Sequence, residues 1–141
     1  MAIRFHSEDI SFIPKLKGLL RQWIENTLRS EQSQAGEINI IFCSDGHLLA
    51  LNKQYLKHNT FTDIITFDYS TGAKRSGDIF ISIPRVEENA KQYKVSFEDE
   101  LHRVIIHGIL HLTGYTDKSS SEKLIMRQKE EKYLSLRPFK K

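Results

Sequence analysis

The chain has little of what staples, anchors or breaks a fold. It holds one cysteine, Cys43, in 141 residues, which excludes an intramolecular disulfide and any multi-cysteine metal site. Cys43 ends the apolar run Ile38-Asn39-Ile40-Ile41-Phe42-Cys43, where a buried and inert thiol is expected. No apolar stretch approaches the roughly 18 residues of a membrane-spanning helix. The opening Met-Ala-Ile-Arg-Phe-His lacks the apolar centre of a signal peptide. A soluble, cytoplasmic protein with no membrane partner is therefore expected. Three prolines and seven glycines leave no room for a low-complexity linker, and no internal repeat is visible. One domain over residues 1–141 is the expectation. A large charge excess is also missing: 21 Lys plus Arg against 18 Asp plus Glu give a formal +3. That balance suits nucleic acid only if the basic residues cluster on one surface.

What is present is periodicity. Residues 2–6 suit a short strand, and Leu16, Leu19, Leu20, Trp23, Ile24 and Leu28 recur at helical spacing after Pro14. Ile38 to Cys43 has the composition of a strand buried on both faces, following a linker that ends at Gly36. Ser44 and Asp45 are caps for a helix carrying Leu48, Leu49, Leu51, Tyr55 and Leu56. The β-branched, aromatic runs 62–69 and 78–82 can pair as a hairpin. Pro84 opens a helix to about Tyr93, and Ser96 caps the next, whose first turn Glu98-Asp99-Glu100 suits the helix dipole. That helix stops near Gly114, and a last one runs from about Ser120 to Leu134. The order β-α-β-α-β-β-α-α-α predicts an α+β fold with one small mixed sheet covered by helices.

The chemistry concentrates between His107 and Asp117. Two histidines four residues apart share a helix face, so their imidazoles can converge on one metal. A third ligand requires the chain to bend back, which Gly114 permits. Asp117 then offers a carboxylate. His107, His111 and Asp117 are thus the expected ligands of one divalent metal, with zinc as the expected ion. Three protein ligands leave a coordination position open, as in catalytic rather than structural zinc. Glu100, seven residues before His107 and on roughly the same face, can orient a ligand or serve as an ordinary helix N-terminal acid. The spacing overlaps the zinc-peptidase pattern, but that chemistry needs a glutamate directly after the first histidine. Gly108 stands there.

These residues carry a family resemblance. His107, Gly108, Leu110, His111, Leu112, Gly114 and Tyr115 match the signature His-Gly-x-Leu-His-Leu-x-Gly-Tyr-Asp-His of the YbeY rRNA-processing endoribonucleases. Leu51-Asn52, the block 62–67 and the block 77–82 resemble the family's other motifs in the same order, and Glu100 falls where the family has a glutamate. The resemblance covers about residues 35–117. It implies a zinc-binding domain of about four strands that cleaves single-stranded RNA, matures the small-subunit rRNA 3′ end and serves ribosome quality control. The implied partners are rRNA and the small ribosomal subunit, with no DNA.

Two positions depart from the pattern. Asp117 replaces the third histidine, and Thr116 precedes it where the family has Asp. Leu56 stands where the family has a phosphate-gripping arginine. Lys57 is the expected substitute, with Lys53 and His58 nearby, and Lys57 and Glu100 are the expected catalytic residues. Lys74, Arg75 and Arg85 are further candidates for a basic cleft, and Arg137, Lys140 and Lys141 for a solubilising tail. The expected reaction is metal-assisted phosphodiester cleavage. The alternatives are a non-catalytic, metal-stabilised ribosome-assembly factor and a small-molecule hydrolase.

Overall fold

The computed structural model describes residues 2–56 and 62–139. Lys57, His58, Lys140 and Lys141 lie outside the described residues. The elements are β1 (Ala2–Ser7), α1 (Lys17–Ser30), β2 (Gln34–Cys43), α2 (Asp45–Leu51), β3 (Ile64–Asp68), β4 (Lys74–Ser82), α3 (Ile83–Tyr93), α4 (Phe97–Leu112) and α5 (Ser120–Ser135). A π-helical turn, Asn52–Leu56, extends α2. Among the described residues no helix is long and apolar enough to cross a membrane.

The four strands form one mixed sheet in the order β1-β2-β4-β3. β1, β2 and β4 run parallel, and β3 pairs antiparallel with β4; β1 and β3 are the two edges. This is the small mixed sheet of an α+β fold that the sequence pattern predicts. Successive side chains on a strand face opposite ways, so the sheet supplies two cores. Ile38, Ile40, Phe42, Ile79 and Ile81 join α1, α4 and α5 in the main one. Cys43 and Ile65 join Leu48 of α2 in a smaller one. Burial pushes the Cys43 thiol up to about 12, which makes it inert at neutral pH.

Three boundaries differ from expectation. β4 begins at Lys74 rather than at residue 78, because Lys74 and Arg75 pair with Gln34 and Ala35 of β2. α1 starts at Lys17 rather than beside Pro14, because Leu16 takes a left-handed conformation (φ 61°). Phe12 packs edge-on against Phe42 and Phe97 instead. β2 begins at Gln34, since a register shift between Ala35 and Ile38 lets the strand include Gly36.

α4 is the axis of the molecule. It packs on β3, β4, α1, α3 and α5, and Val104, Ile105, Ile106, Ile109, Leu110 and Leu112 are buried along it. Ser96 caps its start by accepting from the Asp99 N–H at 3.0 Å. Its end closes through Gly114 at φ 106°. There the Gly114 N–H donates to the His111 carbonyl at 3.0 Å and the Tyr115 N–H to the Leu110 carbonyl at 3.1 Å. This paired closure satisfies the last carbonyls and turns the chain back. Gly108 sits where α4 meets the sheet: a Cβ there would lie 2.9 Å from both Ile64 Cδ1 and Ile79 Cγ2. α5 is tied to α1 by Trp23, whose indole N–H donates to the Tyr133 carbonyl at 2.8 Å.

Candidate metal centre

His107 and His111 lie one turn apart on α4, and the closure at Gly114 brings Asp117 back over them. One donor atom from each lies within 4.8 Å of the others. The two histidine Nε2 atoms are 2.9 Å apart. Asp117 Oδ2 stands 3.2 Å from His107 Nε2 and 3.8 Å from His111 Nε2. Zn–N bonds of 2.0–2.1 Å at tetrahedral angles separate donors by about 3.3 Å, and the three spacings straddle that value.

The other ring nitrogens decide what the centre can hold. His111 Nδ1 lies 2.9 Å from the Tyr115 carbonyl, and His107 Nδ1 lies 2.6 Å from Glu130 Oε2. A carbonyl and an ionised carboxylate only accept, so each Nδ1 carries the proton. Both Nε2 atoms therefore turn lone pairs toward the same point, beside a carboxylate. Such an arrangement is repulsive on its own and is relieved by a cation. Burial pushes the His111 pKa down, and the neighbouring His107 disfavours a charge on it further; the Tyr115 carbonyl and Asp117 oppose this. The net direction favours the neutral imidazole that metal binding requires. These residues fit a divalent metal.

Behind the ligands lies a charge cluster in which Glu100 and Glu130 are buried and Arg103 and Asp63 half-buried. Arg103 donates to Glu100 through Nε (3.0 Å) and Nη2 (2.6 Å), and to Glu130 Oε1 through Nη1 at 3.2 Å. Asp63 Oδ2 is 3.7 Å from Arg103 Nη2. Burial works against the charge on Arg103, but Glu100, Glu130 and Asp63 outweigh it and raise its pKa. Burial raises the Asp63 carboxyl, with Arg103 and His107 pulling the other way. Asp63, Ile64, Arg103, Val104 and His107 line a small cavity of about 30 Å³.

The structure thus brings His107, His111 and Asp117 together and places Glu100 further back. Glu100 reaches His107 only through Arg103 and Glu130. Lys57 lies outside the described residues, and the adjacent Leu56 is exposed. The proposed basic cleft loses two members to internal partners. Arg75 donates to the Leu112 carbonyl at the end of α4 (3.0 Å), and Arg85 pairs with Asp45 at 2.7 Å. Arg137 is not a solubilising tail residue either, since it is buried against Asp99 at 3.0 Å.

Sequence reasoning missed Glu130. A signal for it exists: Met126, Glu130 and Tyr133 are the buried positions of α5. Glu130 is an acid standing where helical spacing calls for an apolar residue.

The family model for endoribonuclease YbeY matches residues 2–137. The chain belongs to the YbeY family. A relative named endoribonuclease YbeY from Flavobacterium psychrophilum is 55% identical over 81% of each chain. Another of that name from Bacteroides thetaiotaomicron is 47% identical over 97% of this chain and 100% of the relative. A solution structure from Thermotoga maritima matches with a TM-score of 0.64 at 33% identity, covering 95% of this chain and 87% of that one. YbeY membership agrees with the steric test at Gly108. The position that carries a peptidase's glutamate faces Ile64 and Ile79 here, so the motif is not that of a peptidase.

Proposed function

We propose that this YbeY-family chain is a metal-dependent endoribonuclease that cleaves single-stranded RNA. Its place is the cytoplasm, in small-subunit rRNA 3′-end maturation and ribosome quality control, as a single domain over residues 1–141. Zinc is the proposed ion, held by His107, His111 and Asp117. The observation that carries this reading is the pair of Nε2 atoms 2.9 Å apart beside Asp117, with each Nδ1 held by an acceptor. The Asp117 side chain is 39% exposed, so the centre is open to solvent on the Asp117 side. A divalent ion there supplies Lewis acidity to the scissile phosphate. The chain supplies the rest. Lys57 is proposed to grip a neighbouring phosphate in place of the family arginine, while Glu100 acts indirectly by fixing Arg103.

The test is cleavage of a single-stranded rRNA 3′-end fragment by zinc-loaded protein beside identically purified His111→Ala. Metal-dependent cutting confined to the wild type is the expected result. No cutting by a wild type of confirmed metal content would overturn the nuclease reading in favour of a ribosome-assembly factor.

A further inference from the structure

We infer that Glu130 is a positioning residue of the metal centre. It holds His107 with the proton on Nδ1 and Nε2 aimed at the ion, and Arg103 and Glu100 hold Glu130 in turn. This deepens the proposed function and rests on the reading of His107, His111 and Asp117 as metal ligands.

The argument starts from the cost of the residue. The Glu130 side chain is 7% exposed and shares the inner face of α5 with Met126 and Tyr133. A buried carboxylate survives there only if both oxygens find donors. Each does: Oε1 accepts from Arg103 Nη1 at 3.2 Å, and Oε2 accepts from His107 Nδ1 at 2.6 Å. Arg103 cannot turn away, because the two bonds to Glu100 fix the plane of its guanidinium. Glu100 is 2% exposed and on the same helix as Arg103, so the chain Glu100–Arg103–Glu130–His107 ends on a rigid base. A carboxylate on the far nitrogen of a ligating histidine orients the ring and raises the basicity of the ligating atom. The two histidines are anchored differently. His111 leans on a main-chain carbonyl that no substitution removes, whereas the His107 anchor is a side chain on another helix.

Glu130→Gln is a discriminating variant. Glutamine keeps the shape but offers one acceptor oxygen and one donor amide, so either a contact fails or the His107 proton moves to Nε2 and takes the lone pair from the ion. Zinc affinity would be read by competition with a chromogenic chelator, using Zn²⁺ alone as the probe. Glu130→Gln should bind Zn²⁺ about 10–100-fold more weakly than wild type. In the zinc-loaded wild type, the His107 Nδ1 proton should give a low-field, slowly exchanging NMR signal; in the variant it should move upfield and exchange faster. Loss of packing alone would not produce that second change. Should Glu130→Gln fail to fold, Glu130→Asp keeps the charge and withdraws the oxygens by one methylene, and the same two changes are expected. Unchanged zinc affinity with an unmoved His107 signal would overturn the inference and leave the metal site standing. A wild type that takes up no zinc would overturn both.

Discussion

Glu31 and Tyr115 join the end of α1 to the turn between His111 and Asp117. The Tyr115 hydroxyl donates to Glu31 at 2.7 Å, while the Tyr115 carbonyl receives the His111 Nδ1 proton at 2.9 Å. Glu31 also accepts from Lys129 at 3.2 Å and from the Tyr133 hydroxyl. One carboxylate therefore ties α1, α5 and that turn together.

A pH dependence follows from that carboxylate. Burial raises the Glu31 pKa, but the bonds from Tyr133, Tyr115 and Lys129 outweigh it and hold the group below the ordinary value of 4.5. A folded-state pKa below the unfolded one gives stability that is complete above the unfolded value and is lost as pH falls through the folded value. The denaturant midpoint of the wild type should therefore drop as pH falls below about 4.5. Glu31→Gln should start less stable and show a shallower acid slope. Equal slopes in the two proteins would remove Glu31 as the source.

Asp117 makes a second prediction. A carboxylate oxygen is a harder ligand than the imidazole it replaces in the family pattern, so the site should tolerate Mn²⁺ better than a three-histidine site. Asp117→His should shift preference toward Zn²⁺, measured by side-by-side competition between the two ions. The ligand stands on a turn and is partly exposed, so the exchange needs no core rearrangement. An unchanged preference would show that geometry, not ligand type, sets selectivity.

What could be read from the sequence was local. His107 and His111 announce themselves by helical spacing, and Gly114 marks the bend, because both depend on neighbours within one or two turns. The runs 62–69 and 78–82 were likewise legible as a hairpin from β-branched composition, but the extension of β4 back to Lys74 was not, because it depends on pairing with the start of β2. The helical position of Glu130 carried a local signal, but its partner did not. Its partner His107 lies 23 residues earlier, and only the packing of α5 on α4 brings them together. Glu100 shared the His107 face by periodicity, yet side-chain reach gave it to Arg103 three residues on. The start of α1 depended on the Phe12 contacts with Phe42 and Phe97, which no local signal records.

Metal removal should separate chemistry from folding. The three ligands lie between residues 107 and 117, and none belongs to either hydrophobic core. Chelation should abolish RNA cutting, leave the far-ultraviolet dichroism in place and lower Tm only by the linkage to bound ion. Collapse of the dichroism on chelation would make the metal structural.

Gly108→Ala tests how tightly α4 is seated. In an ordinary helix interior alanine would gain about 1 kcal/mol over glycine. Here the new methyl would stand 2.9 Å from Ile64 Cδ1 and Ile79 Cγ2, and 3.2 Å from Ile79 Cδ1. The Ile64 methyl is the free end of its side chain and can swing aside. Ile79 Cγ2 is a branch at Cβ on a fully buried strand residue, so it cannot move without the strand. Overpacking of this kind costs about 1–3 kcal/mol, which exceeds the helix gain, and a net loss of about 1 kcal/mol is expected in denaturant unfolding. His107 adjoins Gly108 in sequence, and the Glu130 carboxylate that holds its ring stands on α5, so an outward shift of α4 disturbs that contact. Zinc affinity should therefore fall together with stability. A variant that is more stable than wild type and binds zinc unchanged would show that the helix has room at this contact.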